Sequence, residues 1–150
     1  MYLAGTEYSL DSKAFDIFLS GCTRNCRGCF NKEEQNFTYG EKLTPHKIEV
    51  LCNKIKHHST VIDKIRLMGG DPLCQDETEL LFFIHKLLSF NKTLVLYTGA
   101  EKEEIPSWCF STFDEIKYGK FILEKQCESK LYGSSNQHYI VNSGGWKEIV

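Results

Sequence analysis

Cys22, Cys26 and Cys29 are the residues whose type and spacing most plainly suit chemistry. They lie in Gly21-Cys22-Thr23-Arg24-Asn25-Cys26-Arg27-Gly28-Cys29-Phe30-Asn31, a Cys-x3-Cys-x2-Cys pattern. A structural zinc site takes four protein ligands, and an electron-transfer [4Fe–4S] cluster takes four thiolates. Here the local count stops at three. The next thiol, Cys52, follows Cys29 by 23 residues and falls on an apolar helix face. Three thiolates on a four-iron cluster leave one iron free to bind a substrate directly, by the logic of catalytic metal sites. Arg24, Asn25, Arg27 and Gly28 make the segment polar, which argues against thiols gathered merely for a core. A zinc site completed by a distant His or Cys stays open at this point.

Further loops could serve the same chemistry. Met68-Gly69-Gly70-Asp71-Pro72-Leu73 combines two glycines, which admit a ligand close to the backbone, with a proline that stiffens the exit. On its own such a turn is weak evidence, because turns use these residues freely. Thr98-Gly99 and Gly119-Lys120 are two more short loops. The other cysteines stay bland. Cys52 suits a helix core, Cys74 adjoins the glycine loop and sits either near the site or, the favoured reading, in a structural place, and Cys109 and Cys127 lack the spacing for a second cluster. His57-His58 sits at a helix end, where a cation meets the dipole.

The elements that must position these loops alternate. Ala14–Ser20 is a strand candidate with a nearly continuous apolar run, and Val61–Met68, Thr93–Tyr97 and Phe113–Tyr118 follow. Thr44-Pro45 reads as an N-cap with proline at the first helical position. Ile48, Leu51, Cys52 and Ile55 then make one helix face ending near His58. Asp76 opens a second helix, with Glu79 completing a capping box and Leu80, Phe83, Ile84, Leu87 and Leu88 forming its stripe. A weak helical turn over Glu101–Ile105 stops at Pro106. Tyr139–Asn142 and Trp146–Val150 form a closing hairpin around Ser143-Gly144-Gly145. Strands separated by helices imply right-handed crossovers and parallel pairing. The expected fold is α/β: an open or partial (β/α) barrel with a mainly parallel sheet. Its ligand loops lie at the C-terminal ends of the strands. The cysteine loop, Gly69–Leu73, Thr98-Gly99 and Gly119-Lys120 all land there.

Bulk properties agree with one globular domain over residues 1–150. The chain is 41% hydrophobic and 25% charged, with a net charge of −2, giving no overall nucleic-acid footprint. Met1 to Lys13 lacks the apolar stretch of an export signal, and the longest apolar run, Leu80–Ile84, is too short to span a bilayer. Seven cysteines, an odd number, suit reduced thiols in a soluble, cytoplasmic protein.

The cysteine spacing, with the aromatic Phe30 beside the last cysteine and the Gly-Gly-Asp-Pro loop, resembles the radical S-adenosylmethionine (SAM) family. Within it the chain most resembles the compact glycyl-radical activases of anaerobic ribonucleotide reductase. Phe18–Cys22, Gly28–Asn31, Gly69–Leu73, Tyr97–Gly99, Asp114–Phe121 and Gly133–Gln137 carry that likeness in order. The resemblance implies that Cys22, Cys26 and Cys29 ligate a [4Fe–4S] cluster whose open iron is chelated by SAM. It further implies that Phe30, Gly69, Gly70, Asp71, Pro72, Thr98 and Asn136 bind the cofactor, with the glycine loop and the Asp71 side chain taking the amino group of SAM. No catalytic residue is implied beyond the cluster ligands. The implied partners are a glycyl-radical enzyme as protein substrate and a low-potential donor such as flavodoxin, with no nucleic acid and no membrane. Ser134–Gln137 either contacts SAM or the partner's glycine loop, or is a polar turn. Lys117 either faces the site or is an ordinary solvated lysine, the second being favoured. Tyr8–Lys13 lacks the Asn-Gly-x-Gly-x-Arg-like stretch usual in such activases, which leaves the partner open. A radical SAM enzyme acting on a small molecule and a zinc-stabilised binding module are the alternatives.

Overall fold

The computed structural model describes residues 1–149. Among them the strands are β1 (Tyr2–Ser9), β2 (Ala14–Ser20), β3 (Glu41–Lys42), β4 (Lys64–Gly69), β5 (Thr93–Tyr97), β6 (Glu115–Tyr118), β7 (His138–Asn142) and β8 (Trp146–Glu148), and the helices α1 (Pro45–His58), α2 (Glu77–Leu88) and α3 (Ser107–Thr112). One eight-stranded sheet runs in the order β3-β1-β2-β4-β5-β6-β7-β8. The α/β class and the open sheet agree with the sequence; the expectation of a mainly parallel sheet does not. Only β2–β4, β4–β5 and β5–β6 pair in parallel, and the other four pairings are antiparallel. Helical crossovers build the parallel centre. At the flanks, β1–β2 and β7–β8 are joined by short turns, which antiparallel pairing permits, whereas β7 and β3 reach their antiparallel partners through the long segments 119–137 and 21–40.

β1 lies in a stretch to which the sequence assigned no structure. It pairs with β2 and β3, yet Leu3 alone is fully buried, so no period-2 apolar signal marks it. The helices begin where their caps predict. Thr44 Oγ1 accepts from Lys47 N at 3.2 Å, and Asp76 accepts from Glu79 N at 2.9 Å. The capping box of α2 is only half made, because the Glu79 carboxylate instead pairs with the Met1 ammonium at 2.6 Å. The turn expected before Pro106 forms as a single 3-10 turn, Lys102–Glu104, and α3, where the sequence reading placed no helix, follows the proline. The closing hairpin forms as β7 and β8, with Val150 of the expected segment outside the described residues.

The two faces of the sheet differ. Phe15, Ile17 and Leu19 alternate onto one face with Ile65, Leu67, Leu94, Leu96 and Ile116, where they meet Ile48, Leu51 and Ile55 of α1 and Leu80, Phe83, Ile84 and Leu87 of α2 in one core. Fully burying each of these side chains stabilises by about 1.5–3 kcal/mol relative to exposure. The other face carries the apolar Phe18, Met68 and Val95 together with a set of paired polar side chains. Arg66 forks onto Asp16 at 2.6 and 2.7 Å, Lys64 donates to both Glu115 oxygens at 2.9 Å, and Tyr139 Oη donates to Glu115. No helix among the described residues is long and apolar enough to cross a membrane.

Candidate functional site

The loops after β2, β4, β5 and β6 converge, as parallel strands require, around a cavity of about 490 Å³. Cys22, Cys26 and Cys29 all line it and all are half-buried. The trio does not fall within 4.8 Å of one another. Sulfurs sharing one tetrahedral zinc would stand about 3.8 Å apart, given Zn–S bonds of roughly 2.3 Å. At least one pair of the three therefore stands too far apart to share one metal ion without rearrangement.

The loops after β2 and β4 are stitched together. Gly70 N donates to Leu19 O at 2.7 Å and Asp71 N to Gly21 O at 3.0 Å, while Gln75 Nε2 reaches Ser20 O and Gly21 O at 3.0 and 3.2 Å. This closeness demands the glycine pair. Gly69 has φ +111°, and a Cβ on Gly70 would stand 2.5 Å from Glu34 O and 2.6 Å from Gly21 O.

Asp71 is 1% exposed, and its carboxylate is satisfied from within the protein. It accepts from Arg24 Nε at 2.6 Å, Leu73 N at 2.9 Å, Gly99 N at 2.9 Å, and Thr98 Oγ1 at 2.8 and 3.0 Å to its two oxygens. One side chain therefore ties the cysteine loop, its own loop and the β5 loop into a unit. The resemblance assigned this carboxylate to the ligand; in the fold it lines the cavity while its oxygens accept from the protein's own donors. Arg24, which sequence reading passed over as flanking polarity, is its ion-pair partner, and Glu104 stands 3.5 Å from Arg24 Nη1. Nothing in local spacing announces a pair 47 residues apart.

The remaining predicted residues divide. Phe30, Gly69, Gly70 and Thr98 line the cavity. Pro72 and Asn136 do not: Pro72 is buried at the start of a 3-10 turn, and Asn136 Nδ2 donates to Lys120 O at 2.8 Å. Its neighbour Gln137 lies at the cavity and acts as a clasp, accepting from Gly133 N and Ser134 N at 2.9 and 3.1 Å and donating to Gly119 O at 2.8 Å. Lys117 corrects the expectation of a solvated lysine. It lines the cavity, where burial lowers its pKa to about 8 against the opposing pull of Asp71, Cys26 and Cys29. Its place after Glu115 on the polar face of β6 was the available signal. Cys127 also reaches the cavity, which was not expected, and Cys74 lies against Cys22 and Asp71, the less favoured of its two sequence readings.

A family model described as a 4Fe-4S single cluster domain matches residues 13–140. The chain belongs to this family. Its relatives include the anaerobic ribonucleoside-triphosphate reductase-activating protein of Enterobacteria phage T4, 28% identical over 144 residues, covering 87% of this chain and 86% of that protein. The protein of the same name from Haemophilus influenzae is 30% identical over 128 residues, 81% of this chain and 83% of the relative. That from Escherichia coli K12 is 28% identical over 128 residues, with the same coverage. No solved structure matches. Membership supports an iron–sulfur cluster over a zinc module.

Proposed function

We propose that this chain is a radical SAM activase that works as one cytoplasmic domain and installs a glycyl radical on a partner such as anaerobic ribonucleotide reductase. The observation that carries this reading is the meeting of Cys22, Cys26 and Cys29 with the Gly69-Gly70 backbone in one cavity. Relatives that are themselves activating proteins support it. Held by Cys22, Cys26 and Cys29, a reduced [4Fe–4S] cluster would supply the single electron that splits the sulfonium of SAM.

The chain's own residues do the rest. The three cysteines hold the cluster and withhold a fourth ligand. Glycines at 69 and 70 leave backbone oxygens accessible to an ammonium group. Asp71 orients this loop against Thr98 and Gly99, so its role is positioning. Lys117 offers a cation to a carboxylate inside the cavity. Phe30, 67% exposed and tilted against Phe121 at 5.1 Å, gives an apolar wall at the mouth where a protein substrate would approach.

Anaerobic reconstitution should give brown protein with about four irons per chain. Dithionite reduction should then convert SAM to 5′-deoxyadenosine, and mixing with a glycyl-radical enzyme should give an EPR doublet on the partner. Flavodoxin should replace dithionite. Colourless protein holding one zinc, or an intact cluster that never cleaves SAM with or without partner, would overturn the proposal. Cleavage with no doublet on any glycyl-radical protein would redirect it to a small-molecule substrate.

A further inference from the structure

Cys74 has no part in the chemistry proposed above, yet it lies against one member of the cysteine trio. Its Sγ, the Cys22 Sγ and an Asp71 oxygen all fall within 4.8 Å of one another. Thr23 Oγ1 stands 3.6 Å from the same sulfur. Both thiols are half-buried rather than sealed in the core. The segments bearing them are held in register by the Gly70–Leu19, Asp71–Gly21 and Arg24–Asp71 bonds, so only a small side-chain movement separates contact from a covalent bond. A metal shared by Cys22, Cys74 and Asp71 is disfavoured, because both carboxylate oxygens already accept from several donors.

We infer that Cys22 and Cys74 form a reversible disulfide when the three-cysteine site is empty and the surroundings turn oxidising. The inference rests on the proposed function only in taking Cys22 as a cluster ligand. The oxidant is a low-molecular-weight disulfide. The thiolate of one cysteine attacks it, releasing one small thiol and leaving a mixed disulfide on the protein. The other cysteine then displaces the second small thiol. Two electrons and two protons pass from the protein to the reagent, and a Cys22–Cys74 bond remains. In that state Cys22 is shielded from irreversible oxidation, and the cluster lacks one of its three anchors until a dithiol restores it.

The three ligand cysteines and Cys74 fall on separate tryptic peptides, 14–24, 25–27, 28–32 and 67–86. Full-length protein should be stripped of iron anaerobically, treated with oxidised glutathione, alkylated and digested without reductant. The expected species is 14–24 joined to 67–86, lighter by two hydrogens than the sum and abolished by dithiothreitol. It should be absent from the C74S variant, in which Cys22 carries glutathione or the alkylating label. The oxidised wild type should take up iron only after reduction, while C74S, once deglutathionylated, should load as fully as wild type. Cys22 joined mainly to Cys26 or Cys29 with Cys74 alkylated, or all four alkylated, would overturn the inference. Should C74S prove insoluble, the wild-type peptide map decides alone. Protein that forms the 14–24/67–86 link but never assembles a cluster would sink the proposed function and leave the disulfide standing.

Discussion

The cysteine loop and the Asp71 cradle face the same cavity but are built in opposite ways. The cradle is complete as polypeptide: a carboxylate 1% exposed, donors from three loops around it, and backbone bonds joining β2 and β4 beneath. The cysteine loop is nearly bare. Thr23, Asn25, Arg27 and Gly28 are exposed, and Asn25 and Gly28 take left-handed φ of 51° and 72°. Few backbone bonds hold it, such as Cys22 N to Gln35 O at 3.1 Å and Cys29 N to Cys26 O at 3.2 Å. On the proposed reading, the part that would receive a cosubstrate is preorganised by the fold. The part that would carry the cluster would gain its remaining cohesion from the metal, as structural metal sites do.

Mutations should separate these two regimes, and the largest effect belongs to the cradle. Asp71→Ala leaves Arg24 and two loops without their shared acceptor and should cost about 3–5 kcal/mol in denaturant unfolding of the metal-free chain. A loss below about 1 kcal/mol would mean the carboxylate is not the keystone. Gly70→Ala drives a methyl into Glu34 O and Gly21 O and should cost about 1–3 kcal/mol by the same measurement. Lys117→Met should leave folding unchanged or slightly improved, since it removes a cation penalised by burial. SAM binding to the loaded protein, followed by equilibrium dialysis, should weaken roughly tenfold, about 1.4 kcal/mol. The smallest effect on folding belongs to the loop. Cys26→Ala should shift unfolding of the metal-free chain by no more than about 0.5 kcal/mol, while iron uptake and SAM cleavage collapse. A large loss of metal-free stability there would erase the contrast.

Much of the framework was legible because its signals are local. The Thr44-Pro45 and Asp76 caps mark helix starts within one turn, and the apolar residues of α1 and α2 recur at helical spacing. The parallel centre follows from alternating strands and helices. The flanks were harder. β1 has no alternation to detect, and the antiparallel additions at both ends made the sheet mostly antiparallel. In the site, the spacing of Cys22, Cys26 and Cys29 was visible within eight residues, whereas the partners of Asp71 were not.

By itself, then, the amino-acid order determined three thiols on one short polar loop, a glycine pair at the end of a strand, and the helices that set strand against strand. Tertiary structure alone decided that Asp71 turns inward to Arg24, that Lys117 enters the cavity and that Cys74 lies against Cys22. The reason is range. Caps, turns and periodicity act over a few residues of chain, where neighbours are set by covalent geometry. A side chain's partner 47 or 51 residues away is set only when the sheet chooses which loops stand side by side.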